Sequence, residues 1–119
     1  MIEEALHGNY VFSSLPDEDL TTVVAKMHAE VVRAGENIIT QGDRGDKFYV
    51  IESGTAEILV DGVHVGEYGP RSAFGELALL YRAPRAATIK AVSACTLWAV
   101  GLHTFRRIAI QGHAAQLNT

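Results

Sequence analysis

Residues 47–68 read KFYVIESGTAEILVDGVHVGEY. Short runs rich in valine, isoleucine and aromatic residues are separated by glycine. Such residues suit a pleated, half-buried surface. Asp61-Gly62 falls between two of the runs, and Asp-Gly tolerates the positive φ of a tight hairpin turn. The same pattern continues outward, through AEVVRAG and NIITQGDRGD on one side and AATIKAVSACTLWAVG on the other. From His28 to Val100 the chain therefore predicts short antiparallel strands in a sandwich or closed roll.

The whole chain has 119 residues, a length that suits one domain, and 48% of them are hydrophobic, enough for a core. The formal net charge is −4, so there is no basic excess to attract a nucleic-acid backbone. One cysteine, Cys95, excludes an internal disulfide framework and suits a reducing compartment. The first residues, MIEEALHGNY, carry acids where a secretory signal would be basic and then apolar. No apolar run approaches the length of a bilayer span. The expected setting is the cytoplasm.

Both ends of the chain change period. In SSLPDEDLTTVVAKM, Leu20, Val23, Val24 and Met27 form one helical face. Ser14 is the expected N-cap, and Asp17, Glu18 and Asp19 favour the positive end of the helix dipole. In HTFRRIAIQGHAAQLNT, Phe105, Ile108 and Ile110 return to helical spacing, with an interruption expected at Gly112. The expected layout is a single domain over residues 1–119. It comprises a helical segment 1–27, strands 28–101 and a helical segment 102–119.

One segment breaks the strand pattern. GELALLY, from Gly75, predicts a helix of about two turns with Glu76 in its first turn. A helix start leaves backbone N–H groups free for an anion. In RAPRAATIKA, Pro84 sets an extended approach and Arg85 is expected to open a strand. Arg85, Ala87 and Ile89 would face one way and Ala86 and Thr88 the other. Free amides, a guanidinium, small side chains and a carboxylate thus gather in one region. A guanidinium fork suits a phosphate, and a carboxylate suits a ribose hydroxyl. A structural Glu76–Arg85 pair is the plain alternative.

FGELALLYRAPRAATIKA, Phe74 to Ala91, resembles the phosphate-binding cassette of cyclic-nucleotide-binding domains, above all those of cAMP-dependent protein kinase regulatory subunits. RAGENIITQGDRGDKFYVIESGTAEILV, VGEYGPRSAFGELALLY and LWAV with TFRRI extend the likeness from about Phe12 to Ile110. The resemblance implies an eight-stranded antiparallel β-roll with flanking helices and a cassette at 74–88. It implies ligand contacts at Gly75, Glu76, Leu77, Ala78, Arg85, Ala86 and Ala87. Among these, Glu76 would accept from the ribose 2′-hydroxyl and Arg85 would pair with the cyclic phosphate. The amides of Ala78 and Ala86 would reach phosphate oxygens, and Gly75 would lie against the ribose. Asp46, in the GDRGD that otherwise reads as a turn, would support the arginine. Relatives that prefer cGMP tend to place Thr or Ser after the arginine, so Ala86 favours cAMP.

The resemblance further implies a non-enzymatic regulatory module, whose partner would be a protein kinase catalytic subunit. Channel and transcription-factor sensors use the same domain type, but PRAATIKA and TFRRI favour the kinase branch. A β-roll that binds another nucleoside, or only docks a protein, is the remaining alternative. Two departures stand out. Gly101 and Leu102 replace a common Asp-Arg pair, which predicts a looser start to the last helix. Arg82 is expected to be an exposed tip. The tail reads as short for a complete lid helix, so a fragment of a longer chain is expected. The five histidines and Cys95 show no zinc spacing, no cofactor is implied, and Cys95, Trp98, Phe48, Tyr49 and Phe74 read as core.

Overall fold

A computed structural model describes residues 2–7, 12–13, 15–79 and 83–117. Eight antiparallel strands form two four-stranded sheets. The first orders β1 (His28–Val32), β8 (Cys95–Gly101), β3 (Lys47–Ser53) and β6 (Ala73–Phe74). The second orders β2 (Asn37–Ile39), β7 (Thr88–Ala91), β4 (Ala56–Val60) and β5 (Val63–Tyr68). The expected eight-stranded roll is present. Asp61 and Gly62, at φ 52° and 79°, make the two-residue turn between β4 and β5. Gln41 clasps that turn from outside: its amide donates to Asp61 Oδ1 at 2.9 Å and its Oε1 accepts the Asp61 N–H at 2.8 Å.

Alternation along β3 builds two cores at once. Phe48 and Val50 face the helices, while Tyr49 and Ile51 face the interior of the roll. On the helical side, Leu20, Val23 and Met27 of α2 (Asp17–Lys26) meet Phe105 and Ile108 of α3 (Leu102–Leu117). Leu6 of α1 (Ile2–His7) joins them, and Phe12 packs on Phe48 and Phe105 at ring separations of 4.9 and 5.3 Å. Inside the roll, Ile39, Ile51, Phe74, Ile89, Cys95, Leu97 and Ala99 close the space between the sheets. Phe48, Tyr49, Phe74 and Cys95 are core residues, as expected. Trp98 is only partly buried at the edge of the helical core, with its indole N–H donating to Glu52 Oε1 at 3.3 Å.

Several local expectations need correction. The expected cap Ser14 lies outside the described residues; Pro16 occupies the N-cap position of α2, with no side-chain cap. Gly112 does not interrupt α3, which runs to Leu117. A single glycine costs a helix only about 1 kcal/mol, too little to end one by itself. The expected two-turn helix after Gly75 is, over its described part, one 3₁₀ turn at Glu76–Leu79. It is tied by Leu79, 1% exposed, to the helical core. Arg85 does not open β7, which starts at Thr88. Instead, the Arg85 N–H donates to Asp43 O at 2.8 Å and its carbonyl accepts from Gly42 N at 2.9 Å. Pairing with that turn, beside the isolated Arg44–Pro84 bridge, satisfies its backbone outside the sheet.

The start of α3 is also tied down, against the expectation of a loose one. The Leu102 N–H, among the first unpaired donors of the helix, is satisfied by the Asp46 carbonyl at 2.7 Å. The Leu102 side chain is 2% exposed.

Candidate functional site

A cleft of about 200 Å³ opens between β5, the 3₁₀ turn and the segment leading into β7. Gly75, Glu76, Arg85, Ala86 and Ala87 line it, so five of the seven expected contact residues converge there. Leu77 and Ala78 lie within the 3₁₀ turn, but their side chains are outside the described residues, as is Arg82. Gly75 has φ +87°, a conformation that L side chains rarely adopt, and this turns the chain from β6 into the 3₁₀ segment.

Arg85 is the best-positioned polar group of the site. Its Nη2 donates to the Lys47 carbonyl at 2.8 Å, and its side chain is partly buried. A Cβ on Gly45 would fall inside the guanidinium, so that group rests directly on the Gly45 backbone. A Cβ on Gly75 would lie 3.1 Å from Arg85 Nη1. Two glycines and a carbonyl thus cradle the fork. Burial pulls the Arg85 pKa down, and the nearby Tyr49 and Asp46 only partly oppose this. A cation that pays for desolvation without a hydrogen-bonded carboxylate is ready for an anion. Glu76 does not pair with it: the ion pairs among the described residues join His28 and Lys47 to Glu30, and His64 to Glu57 and Glu67.

Asp46 sits behind the site. With Lys47, Tyr49 and Arg85 it lines a second cavity of about 270 Å³. It acts on Arg85 by charge, while its carbonyl holds the start of α3. Adjacent carbonyls, Asp46 and Lys47, therefore receive the α3 backbone and the cleft arginine respectively.

The family model for the cyclic nucleotide-binding domain matches residues 29–111. The chain belongs to that family. The cAMP-dependent protein kinase regulatory subunit of Yarrowia lipolytica is 48% identical over 92% of the chain, which spans 29% of that subunit. The type II regulatory subunit of Drosophila melanogaster is 44% identical over 91% of the chain, spanning 29% of that protein. The chain thus covers under a third of the length of these relatives. Among solved structures, the regulatory domain of Toxoplasma gondii PKA crystallised with cAMP superposes with a TM-score of 0.77 at 44% identity, covering 90% of this chain and 42% of that one. The regulatory subunit of a cAMP-independent protein kinase A from Trypanosoma cruzi, bound to guanosine, gives 0.80 at 30% identity, covering 90% and 38%.

The cyclic nucleotide-binding domain also holds cleft residues that were not read from the sequence. Tyr68, Phe74, Ile39, Ile89, Ala83 and Pro84 complete the lining, and Gly45 supports Arg85 from behind. Ile89 shares the face expected for Arg85 and Ala87, a signal that could have found it; Ile39 reads as an ordinary core residue and Gly45 sits in an apparent turn, so no local signal marked those two. Among the described residues, no His, Cys, Asp or Glu group gathers to hold a metal, and no helix is long and apolar enough to cross a membrane.

Proposed function

We propose that the cleft binds a purine 3′,5′-cyclic nucleotide, cAMP ahead of cGMP, and that the domain is a regulatory module whose partner is a protein kinase catalytic subunit in the cytoplasm. The observation that carries this is Arg85, a half-buried guanidinium anchored to the Lys47 carbonyl at 2.8 Å, in the same cleft as Glu76. The fork takes the cyclic phosphate, helped by the amides of Ala78 and Ala86. The Glu76 carboxylate accepts the ribose 2′-hydroxyl, and Gly75 lets the sugar approach the backbone. Asp46 steadies the arginine by its charge. Ligand binding shifts an equilibrium only through differential affinity for two arrangements. The Asp46–Lys47 backbone gives the cleft a route to α3, whose shift would release the kinase subunit.

Calorimetric titration with cAMP, cGMP, 5′-AMP and guanosine tests this. Saturable binding of cAMP, tighter than of 5′-AMP, is the expected outcome; no heat with either cyclic nucleotide overturns it. The guanosine-bound relative gives a second reading, in which the cleft takes a nucleoside. Guanosine lacks the phosphate, so binding of guanosine but not cAMP would favour that reading. Base preference has its own check. Ala86 lines the cleft and is exposed, so a hydroxyl added there has room. Ala86→Thr should raise cGMP affinity relative to cAMP by about fivefold, roughly one neutral hydrogen bond. An unchanged ratio removes Ala86 as the discriminator.

A further inference from the structure

Gln41 stands just after β2, in the connection to β3. Its carboxamide makes two bonds to one residue of the β4–β5 turn. Nε2 donates to Asp61 Oδ1 at 2.9 Å, and Oε1 accepts the Asp61 N–H at 2.8 Å. A backbone N–H can only donate, so this pair fixes which end of the carboxamide is the oxygen. The Gln41 N–H donates to Thr88 Oγ1 at 2.9 Å, at the start of β7. The next two residues grip the main chain of Arg85. The Gly42 N–H donates to the Arg85 carbonyl at 2.9 Å, and the Asp43 carbonyl accepts the Arg85 N–H at 2.8 Å. Further along, Gly45 lies under the Arg85 guanidinium. One short connection thus holds Arg85 by backbone and side chain, and Gln41 ties that connection to a turn that takes no part in lining the cleft.

Resting on the cyclic-nucleotide reading above, we propose that Gln41 is a positioning residue for Arg85. Through it, the β4–β5 turn sets where the guanidinium fork meets the phosphate. Arg85 lies outside both sheets, between the isolated Pro84 bridge and the start of β7 at Thr88, so no sheet ladder fixes its main chain. Its place depends on the connection that holds it. There Gln41 is partly buried, whereas Gly42, Asp43 and Arg44 are exposed. Exposed loop backbone opens easily unless something anchors it. The carboxamide suits that task, because it brings one donor and one acceptor to a turn that offers the reverse. Glutamate at position 41 would keep the acceptor, lose the donor and set its charge against the Asp61 carboxylate. Hydrogen bonds weaken steeply with misalignment, so a displaced fork loses affinity while the cores stay packed.

The test uses the intact chain, Gln41→Glu, and the double variant Gln41→Glu with Asp61→Asn. The double variant reverses the polarity of the clasp: the amide introduced at position 61 donates to the carboxylate introduced at position 41. Asparagine is tolerated at the Asp61 φ of 52°. Two quantities are measured, exchange of the Gly42 and Arg85 amide protons by NMR without ligand, and cAMP affinity by calorimetry. Gln41→Glu should speed exchange of both amides about tenfold and weaken cAMP about fivefold. The double variant should bring both back to within about twofold of the parent. If Gln41→Glu binds cAMP as tightly as the parent, the clasp only steadies the turn and the proposal is overturned. A double variant as weak as Gln41→Glu overturns it too, because Asp61 is then not the partner through which Gln41 acts. So does weaker cAMP binding with unchanged exchange, which would put the effect elsewhere than the Arg85 backbone. A parent chain that binds no cAMP, with exchange responding as expected, would overturn the cyclic-nucleotide reading and leave the link from the turn to Arg85 standing.

Discussion

Arg85→Ala should weaken cAMP binding by about 3–5 kcal/mol, roughly 150- to 4,000-fold in Kd. The lost group is the charged hydrogen-bonding fork of the cleft, and its removal leaves a phosphate facing a partly desolvated site. The upper part of the range applies if the bound phosphate is sealed from water; the lower part applies if water replaces the guanidinium. Folding should hardly suffer. The side chain donates to the Lys47 carbonyl at 2.8 Å, but burial also disfavours its charge, and the two effects oppose one another. Ligand-free melting temperatures of the variant and parent should therefore differ by only a few degrees. Arg85→Lys keeps the charge and loses the planar fork, so its affinity should fall between the two. Guanosine serves as an internal control, because a ligand without phosphate has nothing to lose at this position. A cAMP affinity within threefold of the parent in Arg85→Ala would end the assignment of Arg85 to the phosphate.

What the sequence made legible follows from the range of the forces involved. The Asp61-Gly62 turn depends on two adjacent backbones, and it forms where expected. The β-branched and aromatic run Phe48, Tyr49, Val50 and Ile51 is a local signal, and it placed a strand correctly; that both faces of this strand are buried comes only from the sheet and the helices packing on either side. The convergence of Gly75, Glu76, Arg85, Ala86 and Ala87 was legible because they lie within one short segment. The misses depend on tertiary contacts. The 3₁₀ geometry at Glu76–Leu79 goes with Leu79 reaching the helical core, which propensity does not report. The start of β7 moved from Arg85 to Thr88 because Gly42 and Asp43, distant in sequence, take up the Arg85 backbone bonds. The firm start of α3 uses a backbone carbonyl at Asp46, and a carbonyl leaves no trace in residue type. Tyr68 looked like one more strand residue because only the closure of the roll brings β5 beside the cassette.

Gly45 offers the cleanest separation of affinity from stability. A Cβ at this position would collide with the end of the Arg85 side chain, not with backbone. A flexible guanidinium can swing aside, so Gly45→Ala should cost less than about 1 kcal/mol of folding stability. Swinging aside breaks the bond from Nη2 to the Lys47 carbonyl and withdraws the fork from its cradle. Affinity for cAMP should then fall by about 2–3 kcal/mol, roughly 30- to 150-fold, because a misplaced charged donor keeps only part of its value. Gly75→Ala makes the contrast. Its φ of +87° strains any L side chain, and the added Cβ would lie 2.9 Å from the Lys47 carbonyl oxygen, which is backbone. That substitution should cost about 1–3 kcal/mol of stability as well as affinity. Thermal melting without ligand and calorimetry with cAMP distinguish the two cases. If Gly45→Ala binds cAMP as tightly as the parent, the guanidinium can reach the phosphate from a second position and the cradle is not what orients it. If it melts as early as Gly75→Ala, the collision is absorbed by the loop backbone. The Asp46 carbonyl on that loop holds Leu102, so the damage would then extend to α3.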